Sequence, residues 1–224
     1  MTKTVLITGA AGGLGSALAD AYFSLGYNLI LTDVREGNVR DQWAANNRVT
    51  IVTGDLTLDV TLQRLTSLIE SLSGGLEILI NNAGVLFMKP FEEHSVEQID
   101  QIMNLNALAP IKLARMVYPL MQRRRKGQII NIASNAGRYG KANHSLYCAS
   151  KFALTGFSHS LRLEAKQYGV RVMTVFPAGI KTGLYANMRN QVQTSGYLEP
   201  DAVAKIIATL SEAEGAFVDE VLIG

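Results

Sequence analysis

Cysteine is almost missing from this 224-residue chain: Cys148 stands alone, so an intrachain disulfide framework is excluded and no CxxC pair exists. With three histidines and one cysteine there is no cluster at metal-ligand spacing, and no metal is expected. Charge of one sign is lacking too. Lys and Arg number 21 against 19 Asp and Glu, and a net charge of +2 makes no field that would draw nucleic acid or a membrane surface. No apolar run is long enough to cross a membrane. The first strand pattern begins by Thr4, which leaves no room for a signal peptide, so a cytoplasmic protein is expected. The one dense run of charge, Arg123-Arg124-Arg125-Lys126, lies between the apolar stretch Ile111 to Met121 and Gly127. It reads as a solvated helix C-terminus rather than a nucleic-acid patch.

What the chain has is glycine in one telling place. The apolar run Thr4 to Ile7 meets Thr8-Gly9-Ala10-Ala11-Gly12-Gly13-Leu14-Gly15, and the amphipathic stretch Leu14 to Leu25 follows. Strand, tight turn and helix open a βαβ unit. Gly9 lets the chain reverse, Gly13 clears space for a pyrophosphate against the backbone, and Gly15 lets helix and strand pack closely; the free amides of the helix N-terminus then face the anion. A purely structural turn with spare glycines is the alternative.

Further along, Asn28 to Thr32 is a second strand ending at Asp33, about two dozen residues beyond Gly9. A carboxylate there accepts from the adenosine ribose and repels a 2′-phosphate, which favours NAD; Arg35 close behind is the group that would admit NADP instead. Val49 to Val52 is a third strand, and the Asp55 that follows either caps the next helix, with Leu62, Leu65, Leu68, Ile69 and Leu72 apolar, or touches adenine. Leu76 to Ile80 is a fourth strand running into Asn81-Asn82-Ala83-Gly84. Ser95 opens a helix continuing to Met121 through Asn104-Leu105-Asn106, where a pair of poor helix formers suggests an interrupted ladder. Gln128 to Ala133, Val170 to Phe176 and Ala216 to Ile223 are strands, Ser145 to Tyr168 is a long helix, and Asp201 caps a last helix of Ala202 to Leu210. The fold class is therefore α/β: one doubly wound domain over residues 1–224, a parallel seven-stranded sheet with helices on both faces. Polar Gly183 to Leu198, with Leu184, Tyr185, Met188, Val192 and Tyr197 as its apolar members, reads as a loop.

Tyr147 and Lys151 stand four apart on the long helix and so share a face. A tyrosine serves as a base only if a nearby cation stabilises its phenolate, which an ammonium one turn away does. Ser134 supplies a hydroxyl from another side. The wall between them, Arg138-Tyr139-Gly140-Lys141-Ala142-Asn143-His144, borders the same pocket; its cations either meet a carboxylate or phosphate of the substrate or are simply solvated.

Over nearly all its length the chain resembles the short-chain dehydrogenase/reductase family. Thr8 to Gly15 takes the form TGxxxGxG, Asn81 to Gly84 is NNAG, Ser134 precedes Tyr147 by thirteen residues, and Tyr147-Cys148-Ala149-Ser150-Lys151 is YxxxK. The resemblance implies a Rossmann fold and an NAD(P)-dependent oxidoreductase that interconverts an alcohol and a carbonyl compound. Tyr147 would be its general acid/base, Lys151 would lower the tyrosine's pKa and hold the nicotinamide ribose, and Ser134 would orient the substrate oxygen. Asn106 matches the asparagine that holds a relay water, with Asn104 as the competing position. The implied cofactor site takes in Gly9, Gly13, Leu14 and Gly15, then Asp33, Asp55 and Leu56, then Asn82, Ala83 and Gly84. Tyr147, Lys151, Pro177, Ile180 and Thr182 complete it. Pro177-Ala178-Gly179 replaces the family's common Pro-Gly pair, and Val218 to Gly224 replaces its Asp-Gly-Gly-rich ending. The resemblance also implies that the loop Gly183 to Leu198 closes over the substrate, an ordinary exposed loop being the alternative. A small or medium carbonyl substrate and a homodimer or homotetramer are expected. A dinucleotide-sensing binding protein without turnover and a nucleotide-sugar epimerase are the rival readings.

Overall fold

Alternate residues of β1 (Thr4–Thr8) face opposite ways: Val5 and Ile7 join one apolar layer and Leu6 the other, with no exposed surface on any of them. A strand covered on both faces reads as a continuous apolar run, which is the signature of a buried parallel sheet. The structure is a computed structural model, and it describes residues 3–224 apart from 36, 185–194 and 214–215. Besides β1, the sheet contains β2 (Asn28–Asp33), β3 (Val49–Thr53), β4 (Ile78–Asn81), β5 (Gly127–Ile132), β6 (Val170–Pro177) and β7 (Glu220–Ile223). All are parallel, in the order β3-β2-β1-β4-β5-β6-β7. The chain winds outward from β1 to β3, then crosses back to β4 and winds the other way. Ligands of such sheets bind at the strands' carboxyl ends, where the winding reverses.

The helices are α1 (Gly13–Ser24), α2 (Gly37–Trp43), α3 (Asp59–Glu70), α4 (Val96–Met103), α5 (Ala109–Arg124), α6 (Ser145–Ala165) and α7 (Pro200–Ser211). Apolar side chains of α1, α2 and α7 pack on the face of Val5 and Ile7, and those of α3, α5 and α6 on the face of Leu6. The sheet is thus doubly wound. A capping box starts α4, where Ser95 Oγ accepts from Gln98 N and Gln98 Oε1 accepts from Ser95 N. Between α4 and α5 the chain makes a π-helical turn, Asn104–Leu108, at the pair of asparagines where an interrupted ladder is expected.

Some boundaries differ from expectation for local reasons. Asp201 does not cap α7: Glu199 is the N-cap residue, Pro200 begins the helix, and Asp201 lies in its first turn. The closing strand is only Glu220–Ile223, and α2 carries no strong sequence signal. The run Arg123 to Lys126 is more than solvated surface. Arg124 donates to Leu76 O at 2.8 Å, Lys126 pairs with Glu77 at 3.0 Å, and Arg125, at φ 52°, donates to Gln167 O at 2.9 Å. These bonds fasten the end of α5 to the approaches of the neighbouring strands.

Candidate active site

The glycine turn is shaped by what a side chain would strike. Gly9 has φ +67°, and a Cβ there would lie 2.8 Å from Ala83 Cα; a Cβ at Gly15 would lie 2.0 Å from Gly9 O. Both must be glycine for β1, α1 and the end of β4 to come this close. At Gly13 a Cβ would sit 3.1 Å from Thr182 Cγ2, so the segment after β6 meets the turn across the groove. No side chain caps the N-terminus of α1 and no acid lies in its first turn. Leu14 is buried beneath it.

Two strands close the groove from the sides. Asp33 ends β2, where Oδ2 accepts from Ala11 N at 3.0 Å and Oδ1 from Arg35 N at 3.1 Å, so the carboxylate is held against the glycine turn. On the other side Thr8 Oγ1 accepts from Asn82 N at 2.9 Å and Ala83 N at 3.0 Å, while Asn82 Nδ2 donates to Thr8 O and Gly9 O. Thr8 is a tie whose role no local signal reveals, although it stands in the motif. Asp55 does not cap α3, whose N-cap is Leu58; its Oδ1 instead closes the preceding turn by accepting from Thr57 N and Oγ1, both at 2.8 Å. Leu56 is buried in the layer under α3 and α5.

Asn106 is 1% exposed whereas Asn104 faces solvent, so the π turn delivers one asparagine and not the other to the interior. Its Oδ1 accepts from Val85 N at 2.8 Å, and its Nδ2 donates to Val85 O at 2.8 Å and Ser150 Oγ at 3.1 Å. Ser150 Oγ in turn donates to Tyr147 O. The interrupted helix is thereby tied both to the segment after β4 and to α6. A Cβ on Gly84 would sit 3.1 Å from Asn106 Oδ1 and 3.7 Å from Lys151 Nζ. Nothing in the sequence marks Ser150, a variable position of its motif.

On α6, Tyr147 and Lys151 are both buried, with Lys151 Nζ 5.7 Å from the Tyr147 ring centroid. Nζ donates to Ile132 O at 2.8 Å, and burial pushes its pKa down to about 8. Ser134, just past β5, accepts from Ala136 N at 3.1 Å and donates to Asn135 Oδ1 at 3.3 Å. Tyr147 also belongs to an apolar cluster with Leu86, Ile102, Ala136, Leu146 and Cys148, against which Leu184 packs. Pro177 ends β6, and Ile180 bridges to Leu198 through Lys181 N to Leu198 O and Leu198 N to Gly179 O. The two ends of the 183–198 segment are therefore joined at its base. Tyr185, Met188 and Val192 lie outside the described residues. Among the described residues there is no group of His, Cys, Asp or Glu that would hold a metal, and no helix long and apolar enough to cross a membrane.

Against known proteins, residues 3–193 match the family described as short chain dehydrogenase. Over 216 residues the chain is 31% identical to a D-beta-hydroxybutyrate dehydrogenase of Rhizobium meliloti (strain 1021), a match spanning 92% of this chain and 83% of that one. A 4-hydroxyisoleucine dehydrogenase mutant complexed with NADH and succinate superimposes with a TM-score of 0.90 at 26% identity, covering 99% of this chain and 96% of the other. A metagenomic short-chain oxidoreductase in complex with NADP superimposes with a TM-score of 0.83 at 30% identity, covering 99% and 96%.

Proposed function

The chain belongs to the short-chain dehydrogenase/reductase family, and from that membership we propose how its residues divide the work of interconverting an alcohol and a carbonyl compound. The observation that carries the reading is the Tyr147/Lys151 pair, a phenol and an ammonium buried together on one face of α6. A nicotinamide dinucleotide, when bound, supplies or accepts the hydride. Tyr147 gives its proton to the substrate oxygen in reduction and takes one in oxidation, and the neighbouring ammonium of Lys151 favours its phenolate. Ser134 donates to the same oxygen, which requires its hydroxyl to turn from Asn135 Oδ1.

The groove fits the dinucleotide on physical grounds. Uncapped amides at the start of α1 and the side-chain-free surface of Gly9, Gly13 and Gly15 suit a pyrophosphate. Thr182, resting on Gly13, and Ile180 meet the phosphates and the carboxamide; Asn82, Ala83, Gly84 and Pro177 provide flat surface between, and Asp55 and Leu56 border the adenine. The Asp33 carboxylate, fixed beside the turn by two main-chain amides, favours NAD over NADP. Both amide hydrogens of Asn106 are spent inside the protein, so a relay water there rests on one of its oxygens.

Leu184, packed on the Tyr147 cluster, supports a substrate-covering role for residues 183–198. The exposed apolar side chains of Leu108, at the end of the π turn before α5, and Phe152, on α6, support pairing of copies through α5 and α6 in a cytoplasmic homodimer or homotetramer. Scattering mass measurements check that. The function itself is tested by following NADH and NADPH absorbance with panels of secondary alcohols, steroids, sugars and 3-hydroxyacyl compounds and their ketones. Tight NADH binding with no turnover of any of them would point instead to a sensing protein.

A further inference from the structure

The cations on the wall between Ser134 and Tyr147 have different surroundings. Arg138 lies over the Phe176 ring, 5.3 Å from its centroid. Lys141 Nζ lies 5.7 Å from the Tyr139 ring centroid and donates to Asn135 Oδ1 at 2.9 Å, and the same oxygen accepts the Ser134 hydroxyl at 3.3 Å. Two hydrogen bonds through one shared atom therefore separate an ammonium from the hydroxyl assigned to the reacting oxygen. Among the described residues no carboxylate pairs with Lys141. An ammonium has three donors, and Asn135 takes one of them.

The loop that carries this cation is tied down rather than trailing. Lys89 N donates to Asn143 O at 3.1 Å, which fastens the loop to the segment after β4, and the His144 ring bonds Ala142 O at 2.8 Å. Leu86, Leu146 and Leu184 make the apolar surface around Tyr147. The surroundings of Tyr147 are thus apolar, while Lys141, tied to Ser134 through Asn135, is an exposed cation with no carboxylate partner among the described residues.

We propose that Lys141 binds an anionic group of the substrate, a carboxylate close to the reacting carbon, so that the substrate class is an oxo acid or hydroxy acid with an apolar tail; this rests on the oxidoreductase reading above. The spacing selects the class. A carbonyl oxygen on Ser134 and a carboxylate on Lys141 are then only as far apart as neighbouring groups of a 2-oxo or 3-oxo acid, while the tail lies against the leucines. Lys141 keeps its bond to Asn135 and turns its remaining donors to the carboxylate, while the Ser134 hydroxyl leaves the same Asn135 oxygen for the substrate oxygen.

The test compares 3-oxohexanoate with its methyl ester, which keeps the tail and removes the charge. In the wild type kcat/KM favours the acid, and Lys141→Met lowers the acid-to-ester ratio about tenfold or more, as expected for loss of a charge-assisted hydrogen bond, mainly through KM. Lys141→Arg retains most of the ratio. An acid-to-ester ratio that stays within about twofold of wild type in Lys141→Met overturns the proposal while leaving the oxidoreductase reading standing. If neither compound is turned over, that reading suffers instead. The proposal is then decided by calorimetric titration of both compounds into the NADH complex: equal Kd ratios in wild type and Lys141→Met overturn it, and a ratio lost only in the variant supports it.

Discussion

Lys151 Nζ donates a 2.8 Å hydrogen bond to the main-chain carbonyl of Ile132, so the ammonium on α6 is anchored to the carboxyl end of β5. That bond places the charge beside Tyr147 and also takes it out of water. Burial moves its pKa from 10.5 to about 8. Below pH 8 the folded and unfolded chains both carry the proton, and the folded chain bears the full cost of burying it. Between about pH 8 and 10.5 the unfolded chain holds a proton that the folded chain has released, so this group's contribution to stability rises with pH. Without cofactor, the Tm difference between wild type and Lys151→Met is expected to move in favour of the wild type from pH 8 to 10. A difference that does not vary with pH would contradict the buried-ammonium assignment.

Tyr147→Phe keeps the ring and removes only the transferable proton. Turnover should fall by about 10²- to 10⁴-fold with NADH affinity close to wild type. Lys151→Ala should damage both. Steady-state rates and NADH fluorescence titration separate the two cases, and a Tyr147→Phe enzyme that keeps a substantial share of kcat would refute the role given to Tyr147.

Asp33 is positioned by two main-chain amides, which its replacement leaves available for a phosphate. Asp33→Ser should shift the ratio of kcat/KM for NAD over NADP by ~10-fold or more toward NADP, because a like charge facing the 2′-phosphate has been removed. A wild type that already prefers NADP would show that Arg35 outweighs the carboxylate.

Glycine substitutions separate tight contact from empty space. Gly15→Ala puts a methyl 2.0 Å from a main-chain oxygen, and should cost roughly 1–3 kcal/mol of stability together with dinucleotide binding. Gly140→Ala meets nothing within 4 Å and should stay within about 0.5 kcal/mol of wild type. Chemical denaturation of both variants checks the contrast, which would fail if they behaved alike.

Much of the site is legible in the sequence because its signals are local. The apolar run of β1, the turn at Gly9 and the first residues of α1 are neighbours along the chain, and each needs its residue type whatever surrounds it. Tyr147 and Lys151 share a face through helical geometry alone. The same holds for Ser95 as the residue that opens a helix. Asp55 and Asp201 read as caps and are not, because an acid near a helix start suits several turn geometries, and a shift of one or two residues along the chain changes which one forms.

The sequence by itself determined the winding of the sheet, the glycine cradle and the phenol–ammonium pair, since strand and helix periodicity and steric necessity act over a few residues. Only the tertiary structure decided that Asn106 rather than Asn104 turns inward, and that Ile132 O receives the Lys151 ammonium. It alone put Thr182 on Gly13 and gathered Lys141 and Ser134 on one oxygen of Asn135. Which side chain faces inward at the π turn depends on helical phase, and the partner each of the others finds depends on how separate segments pack, so neither is written in any single stretch of the chain.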